Sequence, residues 1–516
     1  MTTDQREYDA IVIGAGHNGL VTAYYLARDG LSVLVLERIE RIGGAIGTEE
    51  LYPGFHVPYC AYICHMLHGR IIDELELRRH GFDLYPVDPW SFHPFPDGTH
   101  LLGWQDTRRF AREIRKLSEP DADAFLDWTL FWDRACGIVR RYFLSDPPTF
   151  AEVAADLRGT ADEEVWETLL TVSMRELVEQ HFEDPRVRAY FINAQDAGDP
   201  SAPGSALSVA YIRSGILGRS EDRGIPKGGM GRVSEAMAAA ARARGAEIRT
   251  GVTVAQIVVD RGHAVGVRLG DGTELRAPVI VSNADPKRTY LGLVPAGTLD
   301  EGFVRRVRSL RTRANCVKAL VALREFPDFS RWLGPGFDPR LAAYTKICPS
   351  VEWFQASWDA AKEGQLSSGP IMYIQFPSAH DPTLAPRGMH VMSSWSLYYP
   401  AHPKDGPWDT RKKKDVAELH LEILGQYASN IRSAVLDITV ETPLDIENRI
   451  GMTDGNIRHL DVVPAQMFAR RMAYRSPVPG LYLCGAGTHP GGELTGAPGH
   501  NCARAILRDL EATAPR

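Results

Sequence analysis

The stretch that most limits what this chain can fold into is YDAIVIGAGHNGLVTAYYLARDGLSVLVLER, residues 8–38. Tyr8 to Ile13 is a short apolar run with the β-branching and length of a buried parallel strand, and it enters Gly14, Gly16 and Gly19 directly. That is the G-x-G-x-x-G spacing in its required setting. Gly14 permits a tight turn, Gly16 lets the backbone approach a pyrophosphate, and Gly19 lets a helix over 18–29 pack close to the strand. The free N–H groups and positive end of that helix, around Ala15 and Asn18, face the phosphates. A second apolar run, Leu31 to Leu36, delivers Glu37 and Arg38. A carboxylate at that point accepts hydrogen bonds from a ribose 2′-hydroxyl and repels a 2′-phosphate, which favours FAD or NAD over NADP. The glycines alone would fit an ordinary turn; strand, helix, second strand and acid in register make a dinucleotide site.

Two further glycine-rich segments separate FAD from NAD. ERIERIGGAIGTEE carries Gly43 and Gly44 a few residues beyond the ribose acid, a second place for close backbone approach. PGLYLCGAGTHPGGELTGAPGHNCARAIL, residues 479–507, reads as a short strand running into Gly485 and Gly487, then a last helix starting near Gly499 after Pro498. The first segment resembles the RxGGxxxT/S stretch of amine-oxidase-like and carotenoid-desaturase-like flavoproteins. In those proteins the second segment touches the ribityl phosphate, and the last helix, here with Asn501 in its first turn, aims its N-terminus at the flavin pyrimidine. A positive helix end there stabilises anionic reduced flavin.

Residues 224–286 read as glycine turn, amphipathic helix, strand and two hairpins with turns at Arg261-Gly262 and Asp271-Gly272. The same resemblance implies that the strand Val252 to Ile257 presents Val254, whose backbone pairs with the adenine. KGGMG, residues 227–231, lacks a preceding apolar strand and a following acid, so it reads as a helix start. One complete dinucleotide motif leaves no second site for a nicotinamide.

ELELRRHGFDLYPVDPWSF, DPTLAPRGMHV and GMTDGNIRHLDVVPAQMF extend the likeness to phytoene-desaturase-like flavoproteins over nearly the whole chain. The likeness is strongest to the branch named for pyridine nucleotide-disulfide oxidoreductase domain-containing protein 2. It implies an α/β fold: a discontinuous Rossmann-type FAD-binding domain of the amine-oxidase kind with an inserted mixed α+β substrate domain. The chain departs from the pattern at Ala45, where amine oxidases usually carry arginine, and at Glu493, where the relatives often have a small residue.

The three flavin segments must converge on one cofactor, so we expect residues 1–85, 222–290 and 446–516 to form the FAD domain and 86–221 with 291–445 the substrate domain. The first insertion is helical in FLDWTLFWDRACGIVRRYF and EEVWETLLTVSMRELVEQHF. The second mixes helices with strands such as IMYIQF and SSWSLYY, whose alternating aromatic positions either line an apolar cavity under the flavin or belong to the core.

Composition narrows the partners. The 516 residues are 44% hydrophobic and 24% charged, with a net charge of −7 and a pI near 6.2, which excludes a nucleic-acid footprint. Seven scattered cysteines read as reduced thiols of a cytoplasmic protein, no apolar run reaches transmembrane length, and the first strand begins too early for a signal peptide. CAYICHMLH offers Cys60, Cys64, His65 and His68, but their spacing fits no common zinc site, so no metal is expected and His65 reads as a residue near flavin and substrate. DTRRFAREIRKL reads as a solvated helix face, with a peripheral membrane surface as the alternative for a lipid substrate, and RKKKD as a solvated loop or helix edge. The resemblance sets His489, Glu493 and Thr495 beside the isoalloxazine. Glu493 is the candidate acid or base, the alternative being a carboxylate that pairs with arginine.

The expected activity is FAD-dependent dehydrogenation of a largely apolar or lipid-like small molecule by hydride transfer to flavin N5, with oxygen, a quinone or another carrier as external electron acceptor. A polyene isomerase or saturase would need the same fold, and a flavoprotein acting only by partner binding would keep the FAD loops.

Overall fold

The computed structural model describes residues 8–513. Among them, a first sheet has five strands in the spatial order Leu481–Leu483, Val279–Ser282, Ala10–Ile13, Val33–Leu36 and Glu247–Arg249. Each pairing is parallel, with Ala10 opposite both Val279 and Val33. A parallel sheet is covered on both faces, so its strands must be apolar throughout; AIVI, VLVL and VIVS are fully buried. The period of two then assigns each residue a face. Ala10, Val12, Val33 and Val35 pack with residues of the helices His17–Arg28, Gly231–Ala243 and Ala497–Thr513. Ile11, Leu34 and Leu36 pack instead with Ile257, Val267 and Leu275 of the antiparallel sheet Val254–Asp260, His263–Leu269, Glu274–Arg276. That second sheet turns at Arg261-Gly262, both with positive φ, and at Asp271-Gly272, as the sequence pattern anticipates.

Backbone contacts hold the helices over the sheet. A Cβ on Gly19 would lie 2.2 Å from the Gly14 carbonyl oxygen, and one on Gly499 would lie 2.3 Å from that of Asn18. Only hydrogen fits at either position, so the first helix seats on its own turn and the last helix seats on the first.

The larger sheet runs Val435–Glu441, Cys316–Leu323, His390–Leu397, Ile371–Gln375, Tyr344–Ile347, Ser91–Pro94, His100–Gly103. It is antiparallel except where Thr345 pairs with Phe92. Between Thr107 and Arg213 the chain is helical, the longest element being Glu119–Arg140. The periodic run over residues 163–182 is not one helix but two, Asp162–Thr171 and Met174–His181. Ser173 starts the second with a capping box to Glu176, a signature present in the letters S-M-R-E. RKKKD also differs from a wholly solvated edge, because Lys412 is buried and its Nζ donates to the carbonyls of Asp405, Gly406 and Pro407.

Two glycine substitutions separate close approach from mere flexibility. Gly19→Ala is expected to cost about 2–4 kcal/mol, since rigid backbone must move. Gly137→Ala, in the Glu119–Arg140 helix with nothing within 4 Å of the added methyl, should stabilise by about 0.5–1 kcal/mol. Thermal or urea unfolding of the two variants should therefore shift in opposite directions.

Candidate active site

One cavity of about 750 Å³ begins where the parallel strands end. Gly14, Gly16, Asn18, Glu37, Arg38, Gly43, Gly44, Ala45 and Val254 all line it, with His65 and Glu493. The two glycine segments meet as neighbouring backbone: the Gly43 N–H donates to the Ala15 carbonyl at 2.9 Å, and Gly16 bridges Gly43. Glu37 Oε2 accepts from the Ala15 N–H at 2.8 Å and its Oε1 from the Ile39 N–H at 3.0 Å. Those bonds fix the carboxylate at the cavity wall and leave it further lone pairs for ribose hydroxyls. No side chain caps the helix His17–Arg28, so its first N–H groups remain open to an anion. A continuous channel with an acid at one end, an open helix N-terminus behind the glycine turn and side-chain-free backbone along the wall fits an extended dinucleotide. Arg38 also donates to the carbonyls of Asn448 and Arg449, tying the later chain to this rim.

Beyond the dinucleotide stretch the cavity meets the large sheet. Its register sets Glu441, Lys318, Trp395, Tyr373 and Lys346 side by side in one cross-strand row. Trp395, Tyr373 and Lys346 line the cavity, and Tyr62 and Tyr344 extend the aromatic wall, Tyr62 lying 6.3 Å from Trp395 and 5.9 Å from Tyr344 between ring centroids. Each of three aromatic faces already carries a cation of the chain itself. Arg458 lies 5.5 Å from the Trp395 centroid, Lys318 5.5 Å from that of Tyr62 and Lys346 6.0 Å from that of Tyr373. Lys346 donates to the carbonyls of Ala189, Tyr190 and Ile192, closing the end of a helix. Lys318 is buried and its Nζ has no hydrogen-bond partner. Burial, only partly offset by the nearby Cys60 and Cys316 thiols, pulls its ammonium down to about 8.

A triad of buried charges stands at the cavity wall. Arg458 forms a close ion pair with Glu493 through Nη2, and its Nε lies 3.1 Å from Asp196 Oδ1. Two carboxylates share one guanidinium. Burial and the neighbouring Glu493 charge outweigh Arg458 and hold the Asp196 carboxyl above the usual range. Glu493 has φ +71, a left-handed conformation that costs a non-glycine residue energy and turns its side chain into the cavity wall. His65 lines the same space, and burial together with the Arg458 and Arg223 charges pulls its imidazole down to about 4, so it is neutral at pH 7.

Other sequence candidates fall behind the wall rather than on it. His489 stands at 2.7 Å from the Tyr142 carbonyl through Nε2 and packs on Phe468, and burial pulls it down to about 4. It is a neutral bracing residue outside the cavity lining. Asn501 likewise spends its amide on the Phe143 carbonyl at 2.8 Å and the Tyr474 hydroxyl at 3.0 Å. Thr495 is buried and caps the Ala497 N–H. Ala15 and Gly19 support the turn from beneath, and Gly499 seats the last helix on Asn18. Gly485 and Gly487 press on Asn283 and Pro286, leaving Ala486 between them at the cavity. Cys60 and His65 face the cavity, Cys64 is buried against the flavin-side helices, and His68 caps Gly69–Glu74, so the four side chains of CAYICHMLH diverge. Asp196, Lys318 and Arg458 escape sequence reasoning because a row or triad assembled from strands and loops far apart in the chain leaves no local spacing, whereas Trp395 and Tyr373 fall on the alternating strands SSWSLYY and IMYIQF expected to line a cavity or the core.

Lys318 carries a pH-dependent cost. Its folded value lies below the free-lysine value, so protonation favours the unfolded chain: the penalty is full below pH 8 and fades as pH rises toward 10.5. Lys318→Met is expected to stabilise the cofactor-free protein at pH 7 by on the order of 3 kcal/mol, with the gain vanishing near pH 10.5 in urea titrations. A pH-independent difference would contradict this assignment.

A family model described as flavin containing amine oxidoreductase matches residues 19–424. The rat pyridine nucleotide-disulfide oxidoreductase domain-containing protein 2 is 34% identical over 548 residues, covering 98% of this chain and 94% of that protein. A limonene dehydrogenase chain of Castellaniella defragrans is 27% identical, covering 98% and 96%. The neurosporene-forming phytoene desaturase of Rhodobacter capsulatus is 26% identical, covering 93% and 90%. Among solved structures, an oxidoreductase from Methanosarcina mazei shares the fold with a TM-score of 0.62 at 16% identity, covering 97% of this chain and 99% of that one. With a channel that fits an extended dinucleotide and opens onto a buried charge triad, the chain is an FAD-dependent oxidoreductase and belongs to the flavin-containing amine oxidoreductase family.

Proposed function

We propose that the protein dehydrogenates a largely apolar small molecule at a carbon–carbon bond. The observation that carries this reading is the aromatic wall whose faces already hold Arg458, Lys318 and Lys346. A cationic amine would meet three cations beside those rings and would be repelled, whereas a neutral carbon skeleton gains by burial against them. Relatives named limonene dehydrogenase and phytoene desaturase support the same substrate class.

Bound FAD would accept the hydride. The chain does the rest. Trp395, Tyr373 and Tyr62 hold the substrate and exclude water, and Glu493, the triad's carboxylate on the cavity, takes the proton from the adjacent carbon to leave a double bond. Asp196 and Glu493 together bring one more negative charge than Arg458 neutralises, so uptake of a proton relieves their repulsion. Electrons leave to an external acceptor such as oxygen or a quinone. No helix among the described residues is long and apolar enough to cross a membrane, and contact with a membrane surface would suit a lipid-like substrate.

Stopped-flow reduction under anaerobic conditions with a hydrocarbon substrate tests the assignment. Glu493→Gln should slow the flavin-reducing step by about 10²–10⁴-fold while FAD content is retained. An undiminished rate in Glu493→Gln would remove this residue from the chemistry.

A further inference from the structure

The part of the cavity facing the helical insertion holds two arginines that nothing in the proposed reaction uses. Arg213 ends the helix Ser205–Arg213, and Arg223 stands just before the short strand Ile225–Pro226; both line the cavity. In each, Nε is sealed from solvent without a hydrogen-bond partner, and neither forms an ion pair among the described residues. Arg213 is packed 5.2 Å from the Trp132 ring centroid, which fixes its direction. Withdrawing part of a guanidinium from water with no ion-pair partner is costly unless something else supplies the charge. Asp133, a carboxylate on the same wall, is exposed and acts on Arg213 at a distance, with no ion pair to either arginine. Burial accordingly pulls both arginines below their ordinary value.

The surroundings describe the rest of the ligand. Phe125, Thr129 and Asp133 recur every fourth residue on the helix Glu119–Arg140, so one face of that helix forms the wall, and Phe110 and Phe191 complete an apolar sleeve. We propose that the ligand is an apolar carboxylic acid whose carboxylate is held by Arg213 and Arg223 while its carbon chain runs toward Trp395 and Glu493. Two guanidinium forks suit a planar carboxylate, and the lining residues Arg213, Arg223 and Asp133 sum to one positive charge, Arg140 behind them being turned to the Ser214 carbonyl, which matches a monoanion better than a phosphate ester. This assignment rests on the dehydrogenase reading for the fate of the chain, but the binding itself can be measured without turnover.

The FAD-loaded protein is titrated with decanoate, 1-decanol and decyl phosphate, following the flavin spectrum and tryptophan fluorescence. Decanoate should bind roughly 10- to 100-fold more tightly than decanol, and decyl phosphate no more tightly than decanoate. Arg213→Gln with Arg223→Gln should abolish the acid preference and leave decanol affinity unchanged; Arg213→Lys with Arg223→Lys, which keeps the charge, should retain part of it. Equal binding of acid and alcohol by the wild type, a preference that survives the double glutamine variant, or preference for the phosphate ester would each overturn the proposal. Should a variant lose its flavin, the wild-type comparison still decides. Failure of any apolar compound to reduce the flavin, with the acid preference intact, would instead count against the dehydrogenase reading alone.

Discussion

Everything at this site depends on backbone meeting backbone at the start of the first helix. Gly19 rests on the Gly14 carbonyl and Gly499 on that of Asn18, each within a distance no side chain permits. These two approaches seat the first helix on the parallel sheet and the last helix on the first. The loop that leads into the last helix consequently delivers Glu493 to the cavity, nearly five hundred residues after the turn that would hold the pyrophosphate.

The second constraint is charge in a dry place. A buried ion pair is weak evidence for stability, because desolvation offsets the attraction. Here Arg458 serves two carboxylates, Lys318 has no hydrogen-bond partner, and Arg213 and Arg223 have no counter-ion among the described residues. An apolar core would be cheaper at each position. Strain and unmet charge that cluster along one cavity are better understood as the requirements of its ligands than as support for the fold.

How much is legible in the sequence follows from how local each feature is. The strand, turn, helix and acid of residues 8–38 lie within one supersecondary unit, so their spacing alone predicts the cradle, and the two hairpin turns after Val254 are equally local. The capping box at Ser173 is local too, and it divides a helical run that periodicity leaves whole. Glu493 is reached through resemblance, but its partners are not: Arg458 and Asp196 come from distant segments and meet only after the large sheet has formed. His489 and Asn501, near the flavin segments in sequence, hydrogen-bond to the Tyr142 and Phe143 carbonyls. The row Lys318, Trp395, Tyr373, Lys346 depends on strand register, which one chain's alternation cannot specify across four strands.

The central claim is that the FAD channel opens onto an aromatic pocket already furnished with cations, and so accepts neutral or anionic apolar molecules rather than amines. The most direct test is the visible spectrum of the anaerobic holoprotein during addition of an alkene and of the protonated amine built on the same carbon skeleton. Bleaching of the flavin band by the alkene and not by the amine is the predicted result. Bleaching by the amine alone would contradict the account.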